Sequence, residues 1–506
     1  MIERESVLHL LKNVVQESPA DQTEAILLTE DSSLTRFAGS AIHQHVAEKN
    51  QTLILRVVFG KKIAVATTNI FQPSSVNPVR NSSGALNPVR DLSLNGINPA
   101  LRGGTPYGAE PGIILKSNPA AEQRGIISNG VKKSLQKAIS LAKVQQPNDE
   151  FISLPGPKTI PEIETFSKNI IRLTPNQKAR MIKSLLRRVK EKGCKASGAF
   201  SNGEVELAVV NSLGVEAYQK FSDLFLHLIV ENEKSSGYAS FVARDPDQLD
   251  VDALAKEAIG KTSKEGPIQI EPGEYEVILE PYAVSELLSF LGYLGFHALA
   301  VQEGRSFFSN RFGEKMVDEK VTIYDDGLDP EGLQVPFDFE GIPKKKVTFF
   351  DSGVAKEVTY DSFTAGREGK DSTGHGLIAP NTAGPIPINL FMNGGEFSLE
   401  EMIKSVRKGI YVTRFHYTNV VEPMKAVVTG MTRDGTFLVE EGEIKRPIRN
   451  LRFTESILKA FSQVTAISKD RRICSEGTVY SRRFVTGTVV PAIKIDGFNF
   501  SGVSTL

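Results

Sequence analysis

The sequence predicts an α+β protein. An N-terminal α/β domain with an antiparallel meander and helices precedes a C-terminal β-rich, barrel-like antiparallel domain with one long core helix. Three observations carry this. Alternating apolar runs broken by turn residues recur through residues 25–67 and 195–243. Turn signals, among them Asp325-Asp326-Gly327, Asp351-Ser352-Gly353 and Asp434-Gly435, punctuate the second half at short intervals. One apolar stretch, residues 281–304, has its leucines at helical spacing.

Residues 3–17 read as an amphipathic helix. Short strands are expected at 25–30, 34–38, 42–47, 52–58 and 63–67, with turns at 31–33, 48–50 and 59–62. From residue 72 to 129 the composition shifts to Pro, Asn, Gly and Ser. The motif Asn77-Pro78-Val79-Arg80 returns as Asn87-Pro88-Val89-Arg90 and, degenerate, as Asn98-Pro99-Ala100-Leu101-Arg102. Asn-Pro opposes helix, and each unit carries few apolar residues, so the stretch reads as a disordered insertion between residues 1–71 and 130–265 of one α+β domain.

Helices are expected at 131–144, about 160–169, from Thr174 (an N-cap before Pro175) to Gly193, and at 250–261. Between the last two, strands are expected at 195–201, 204–211, 215–221, 224–231 and 238–243, the first pair joined through Asn202-Gly203. A linker near 261–273 separates this domain from residues 271–506, which open with a strand at 275–280 and the long helix. Ser398 and Glu401 form a capping-box pattern for a helix at 398–408, and 454–463 reads as another.

Zero formal net charge gives no electrostatic footprint for nucleic acid or an anionic membrane. No apolar run is long enough for a membrane-spanning helix, and the N-terminus lacks a signal-peptide pattern. Cys194 and Cys474, the only two cysteines, exclude a disulfide framework and point to a reducing cytoplasm. There is no phosphate loop, dinucleotide fingerprint or nucleophile elbow.

A helix that holds a metal needs two ligands about one turn apart. The helical stretch carries one histidine, His297, with Tyr293 and Val301 four residues away and Gly292 and Gln302 five away. Glu303 falls on another face. His297 therefore reads as a packed or hydrogen-bonded structural residue. The polar candidates lie elsewhere. His375 sits in the glycine-rich run 372–376, and Arg414 and His416 share one face of the strand-like stretch 411–419. They are expected to contact a peptide, as an alternative to an internal polar network.

Several runs then fall in an order that resembles the TldD/PmbA family, in its TldE (PmbA-like) type. They are Glu303-Gly304-Arg305-Ser306-Phe307, Val321-Thr322-Ile323-Tyr324-Asp325-Asp326, residues 336–343, Ser372-Thr373-Gly374-His375, residues 412–419, residues 430–437 and residues 491–502. Residues 34–44 and 67–69 fit as well. The resemblance implies a heterodimeric zinc peptidase that cleaves small or unfolded peptides. Its D-type chain carries HExxxH on the helix corresponding to residues 281–302 and a cysteine ligand near the C-terminus. This chain has no HExxxH, so no zinc ligand is carried over, Cys474 included. The resemblance thus implies a non-catalytic subunit without its own cofactor, partnered by a TldD-like chain that holds the zinc. A stand-alone hydrolase with loop-derived ligands and a peptide-binding scaffold without a peptidase partner stay open as alternatives.

Overall fold

A computed structural model describes residues 4–69, 129–475 and 482–504. The Asn-Pro repeats lie outside the described residues. The N-terminal part is a six-stranded antiparallel sheet in the order β3-β2-β1-β4-β5-β6. Helix α1 (Arg4–Gln16) precedes β1 (Gln22–Ala38), β2 (Ala41–Phe59) and β3 (Lys62–Thr68). Helices α2 (Asn129–Val144), α3 (Lys168–Arg172) and α4 (Pro175–Glu191) lead into β4 (Lys195–Asn211), β5 (Glu216–Glu231), β6 (Ser236–Ala243) and α5 (Val251–Gly260). Five helices cover one face. Val7, Leu11 and Val14 meet Leu135 and Ala138 over Leu27 and Leu55 at one end. Ile182, Leu185 and Leu254 cover Phe37, Phe200 and Leu226 at the other.

Strands expected as separate pieces are continuous. Residues 31–33 and Asn202-Gly203 are not turns but lie mid-strand, with Ser33 opposite Asn202. Their side chains are engaged across the sheet. Ser33 Oγ donates to Asn202 Oδ1 at 3.1 Å, Lys178 Nζ donates to Ser33 Oγ at 2.6 Å, and Asn202 Nδ2 donates to the Ile170 carbonyl at 3.2 Å. A turn-former whose polar atoms are satisfied this way has no reason to reverse the chain. The reversal falls instead at Gly39-Ser40, both with positive φ. The helix expected at 160–169 shrinks to α3, because residues 163–167 bond to β5 instead: the Ile163 carbonyl accepts from Gln219 Nε2 at 3.0 Å and the Thr165 hydroxyl donates to the Lys220 carbonyl.

The C-terminal sheet has eleven strands. It begins with β7 (Gly273–Leu279), followed by helices α6 (Pro281–Leu294) and α7 (Ala298–Gln302). Then come β8 (Ile323–Asp325), β9 (Val347–Asp351), β10 (Val354–Ala355), β11 (Leu390–Met392), β12 (Lys408–Glu422), β13 (Val427–Glu440), β14 (Glu443–Pro447), β15 (Leu451–Ser456), β16 (Val464–Cys474) and β17 (Thr488–Val503). The path β17-β15-β13-β12-β7 returns to β17, so five strands close a ring. This is the barrel-like domain the turn pattern predicts. The capping box at Ser398 and Glu401 is formed. The stretch 454–463 starts as the end of β15 and turns helical only at Ile457.

The long core helix is broken. Gly295 and Phe296 separate α6 from α7, and His297 becomes the N-cap of α7. A Cβ at Gly295 would lie 2.4 Å from the Phe307 ring, so only glycine lets the chain pass. Phe296 turns inward, stacks on Phe349 at 4.2 Å and meets Phe307, Phe308 and Phe350 edge-on or tilted. Burial of this aromatic group outweighs the few backbone bonds that continuing the helix would add. The apolar spacing was right for Val284, Leu287, Leu288, Leu291 and Leu294, all buried.

The two sheets are joined through apolar and ionic contacts. Leu333, Val335, Phe337 and Phe339 pack on Ile26, Val205, Phe221 and Phe225, on the sheet face away from the helices. Arg56 of β2 donates to Glu24 at 2.8 Å and reaches Glu340 at 3.5 Å.

Candidate functional site

The open side of α6 is set by its sequence. Its apolar residues point into the core, which leaves Ser285, Glu286 and Ser289 partly or fully exposed. Nearby, at the end of β16, the buried Cys474 thiol lies 3.9 Å from the Arg472 carbonyl, and the Ser285 hydroxyl donates to the Tyr282 carbonyl at 2.9 Å. Burial pushes that thiol up to about 12, so it is protonated at neutral pH. Two serines, one carboxylate and one thiol fall short of the three or four Cys, His or carboxylate donors that a zinc site takes. Among the described residues no three His, Cys, Asp or Glu side chains converge as a metal site requires.

At the start of α6 the two domains are bound by an ion cluster. Arg472 holds Glu257 in bidentate fashion at 2.6 and 2.7 Å. Lys261 bridges Glu257 at 3.0 Å and Glu280 at 2.7 Å. The Tyr282 hydroxyl bonds Glu257 at 3.0 Å and accepts from the Ser240 amide at 3.0 Å. Burial works against the Glu257 charge, yet Arg472 and Lys261 bring its carboxyl down to about 2. Two carboxylates face two cations, so the cluster is balanced and acts as an interdomain weld.

His297 is fully buried. Its Nε2 lies 3.1 Å from the Tyr293 carbonyl and its Nδ1 accepts from the Ala300 amide at 3.4 Å, which fixes the tautomer. Burial, with Arg305 nearby, lowers its pKa to about 4. It is the hydrogen-bonded structural residue the sequence suggested. Glu303 pairs with Arg305 at 2.5 Å at the surface.

His375 is not a cleft group. Its side chain is 0% exposed. Nε2 lies 2.9 Å from Asp325 Oδ1 and Nδ1 lies 2.9 Å from Thr373 Oγ1. Lys344, also buried, stands 3.8 Å from the same carboxylate oxygen. Burial opposes charge on Asp325, but Lys344, His375 and the Asn389 amide bring it down to about 2. Both ring nitrogens are committed, so the expectation that His375 meets a peptide is withdrawn. Position in a glycine-rich loop misled the reading, because those glycines serve close packing: a Cβ at Gly374 would lie 2.3 Å from the Pro343 carbonyl.

Arg414 and His416 do share a face, with Phe415 turned into the core. A register shift follows at His416, and Tyr417 has φ +53°, so the alternation ends there. The Arg414 guanidinium lies on the Tyr238 ring at 4.5 Å and donates to Asp434 through Nε at 2.9 Å and through Nη2. Asp434 in turn accepts from Ser236 Oγ at 2.7 Å. Arg414 and His416 therefore stand where the N-terminal sheet meets the barrel, beside a cleft of about 380 Å³ lined by Ser236, Lys261, Asp434 and Arg449. Sequence reading missed Asp434, Tyr238 and His227 as neighbours. The turn expected at Asp434-Gly435 is not one: both residues have positive φ but lie inside the continuous β13, at an irregularity in its pairing with β12.

Residues 272–502 match the family described as PmbA/TldA metallopeptidase C-terminal domain. The C-terminal domain belongs to the PmbA/TldD family. Among its relatives is a metalloprotease TldD homolog from Buchnera aphidicola subsp. Schizaphis graminum, 26% identical over 283 residues, 53% of this chain and 57% of that protein. The homolog from Buchnera aphidicola subsp. Acyrthosiphon pisum is 27% identical over 210 residues, 40% of this chain and 42% of its own. The matched region thus spans about half the length of these PmbA/TldD relatives. The fold of TldE from Thermococcus kodakarensis covers 98% of this chain and 100% of its own, with a TM-score of 0.78 at 18% identity.

Proposed function

We propose that this chain is the non-catalytic, E-type subunit of a TldD/TldE-like zinc metallopeptidase complex. The zinc and the hydrolytic water belong to an HExxxH-bearing partner chain, and the substrate is a small or unfolded peptide. One observation carries the reading: α6, which follows β7 in a PmbA/TldD-family domain, presents serines and one glutamate on its open side, and among the described residues no set of three metal-binding side chains gathers there. The scaffold of a metal site is present while its donors are not. The likeness to the fold of TldE supports the same assignment. In this reading Arg414 and His416 lie on the peptide path and the zinc-bearing subunit completes it.

Co-expression with a TldD-type chain tests this. The two chains are expected to co-purify, and hydrolysis of an unstructured peptide is expected only when both are present. Stoichiometric zinc and peptidase activity in this chain alone would overturn the proposal.

A further inference from the structure

The junction between the two sheets gathers polar groups with unused bonding capacity. Arg414 and Arg433 stand directly opposite on β12 and β13. Like charges so placed repel, and each needs an anion. Arg414 has two carboxylates facing it, Asp434, whose Oδ2 accepts from both Nε and Nη2, and Glu286 from α6. Arg433 is half-buried, yet among the described residues it forms no ion pair and no side-chain hydrogen bond.

Two half-buried histidines lie nearby, His416 beside both arginines and His227 beside Arg414. His416 lies on the same strand face as Arg414, and its ring packs against Tyr417 at 4.3 Å. His227 belongs to the cross-strand row Arg36, Ala199, His227, Ser240 on the inner face of the N-terminal sheet. Ser240 lies two residues from Tyr238, on whose ring Arg414 rests, so His227 and Tyr238 are diagonal neighbours. The His227 ring contacts Phe225 at 5.4 Å. Neither histidine has a ring-nitrogen hydrogen bond among the described residues. Burial, then the charge of Arg414, lowers both to about 4, so at neutral pH each ring is uncharged and carries one N–H donor.

We infer that Arg433 and His416 form a carboxylate-binding site at the domain junction, with His227 on the far side of Arg414, and that it takes an anionic group of the peptide. A partly desolvated arginine with no partner, next to N–H donors, is the complement of a carboxylate. This rests on the peptide-path reading above and specifies the substrate chemistry: peptides with a free C-terminus or an acidic side chain. Arg414 is a positioning residue, since Asp434 already neutralises it.

Fluorescence anisotropy on the full chain tests the site without a partner subunit. The probes are a fluorescein-labelled hexa-alanine with a free C-terminal carboxylate, the same peptide as its C-terminal amide, and the amide with one central glutamate. The expected result is about tenfold or tighter binding of an anionic peptide over the plain amide, the scale of a charge-assisted hydrogen bond. Tightest binding of the free acid assigns the peptide C-terminus, and tightest binding of the glutamate peptide assigns a side chain. Arg433→Gln should abolish the discrimination between the anionic peptides and the amide, while Arg433→Lys should restore part of it. Equal binding of all three peptides, no binding of any, or an unchanged ranking in Arg433→Gln overturns the site. Because this readout needs no partner, it can fail while the co-expression assay succeeds, and the reverse.

Discussion

Two polar regions of this chain look alike in sequence and differ in structure. The Asp325–His375–Lys344 network and the Arg414–His416–Arg433 junction each hold a histidine, basic side chains and an aspartate. In the first, the histidine has both ring nitrogens bonded and the lysine and aspartate are enclosed with it, so the histidine is fully spent on folding. In the second, one arginine is saturated while its neighbour and two histidines are not. Polar density does not mark a binding site. Residual bonding capacity at a partly open position does, because a ligand can only gain what the fold has left unused.

The contrast can be broken most directly at Asp325. Asp325→Ala leaves Lys344 buried without its carboxylate, and a loss of about 3–5 kcal/mol is expected. Urea unfolding measures it, and a change below about 1 kcal/mol would place the network in the same class as the junction. Acidification comes next. His297 has a folded pKa of about 4, below the unfolded value. Its contribution is therefore complete above about pH 6.5 and falls away as pH drops towards 4, because the unfolded chain then binds the proton first. The effect is on the order of 3 kcal/mol, and His297→Gln should make the stability profile less steep over that window, with His227 and His416, also lowered to about 4, supplying the slope that remains.

Gly295→Ala should cost about 1–3 kcal/mol by driving a methyl group into Phe307, read as a lower thermal midpoint. The smallest effect is expected at Arg433→Gln, within about 0.5 kcal/mol of the parent. A larger drop would mean that Arg433 serves the fold as His375 does.

Legibility followed the range of the interaction. The apolar face of α6, the caps at Thr174 and Ser398, and the turn-rich character of the second half depend on neighbours in sequence, and all were readable. The continuous β1 and β4 were not. Ser33 and Asn202 look like turn residues until each is placed opposite the other, 169 positions away. The same blindness explains His375, whose environment is made by Asp325, 50 residues distant. The shared face of Arg414 and His416 was local and legible, whereas His227 reaches that junction only through the pairing of β5 with β6.

The closed strand ring also governs how the chain is made. β7 needs β17 as one of its two neighbours, and more than two hundred residues of sequence separate them. On the ribosome, β7, β12, β13 and β15 emerge with the ring open, and Thr488–Val503 alone can complete it. The N-terminal sheet finishes at Ala243 and faces no such delay. The chain therefore matures in two stages, an early sheet and a late barrel, and the interval between them is when chaperone protection of the open strand edges matters most.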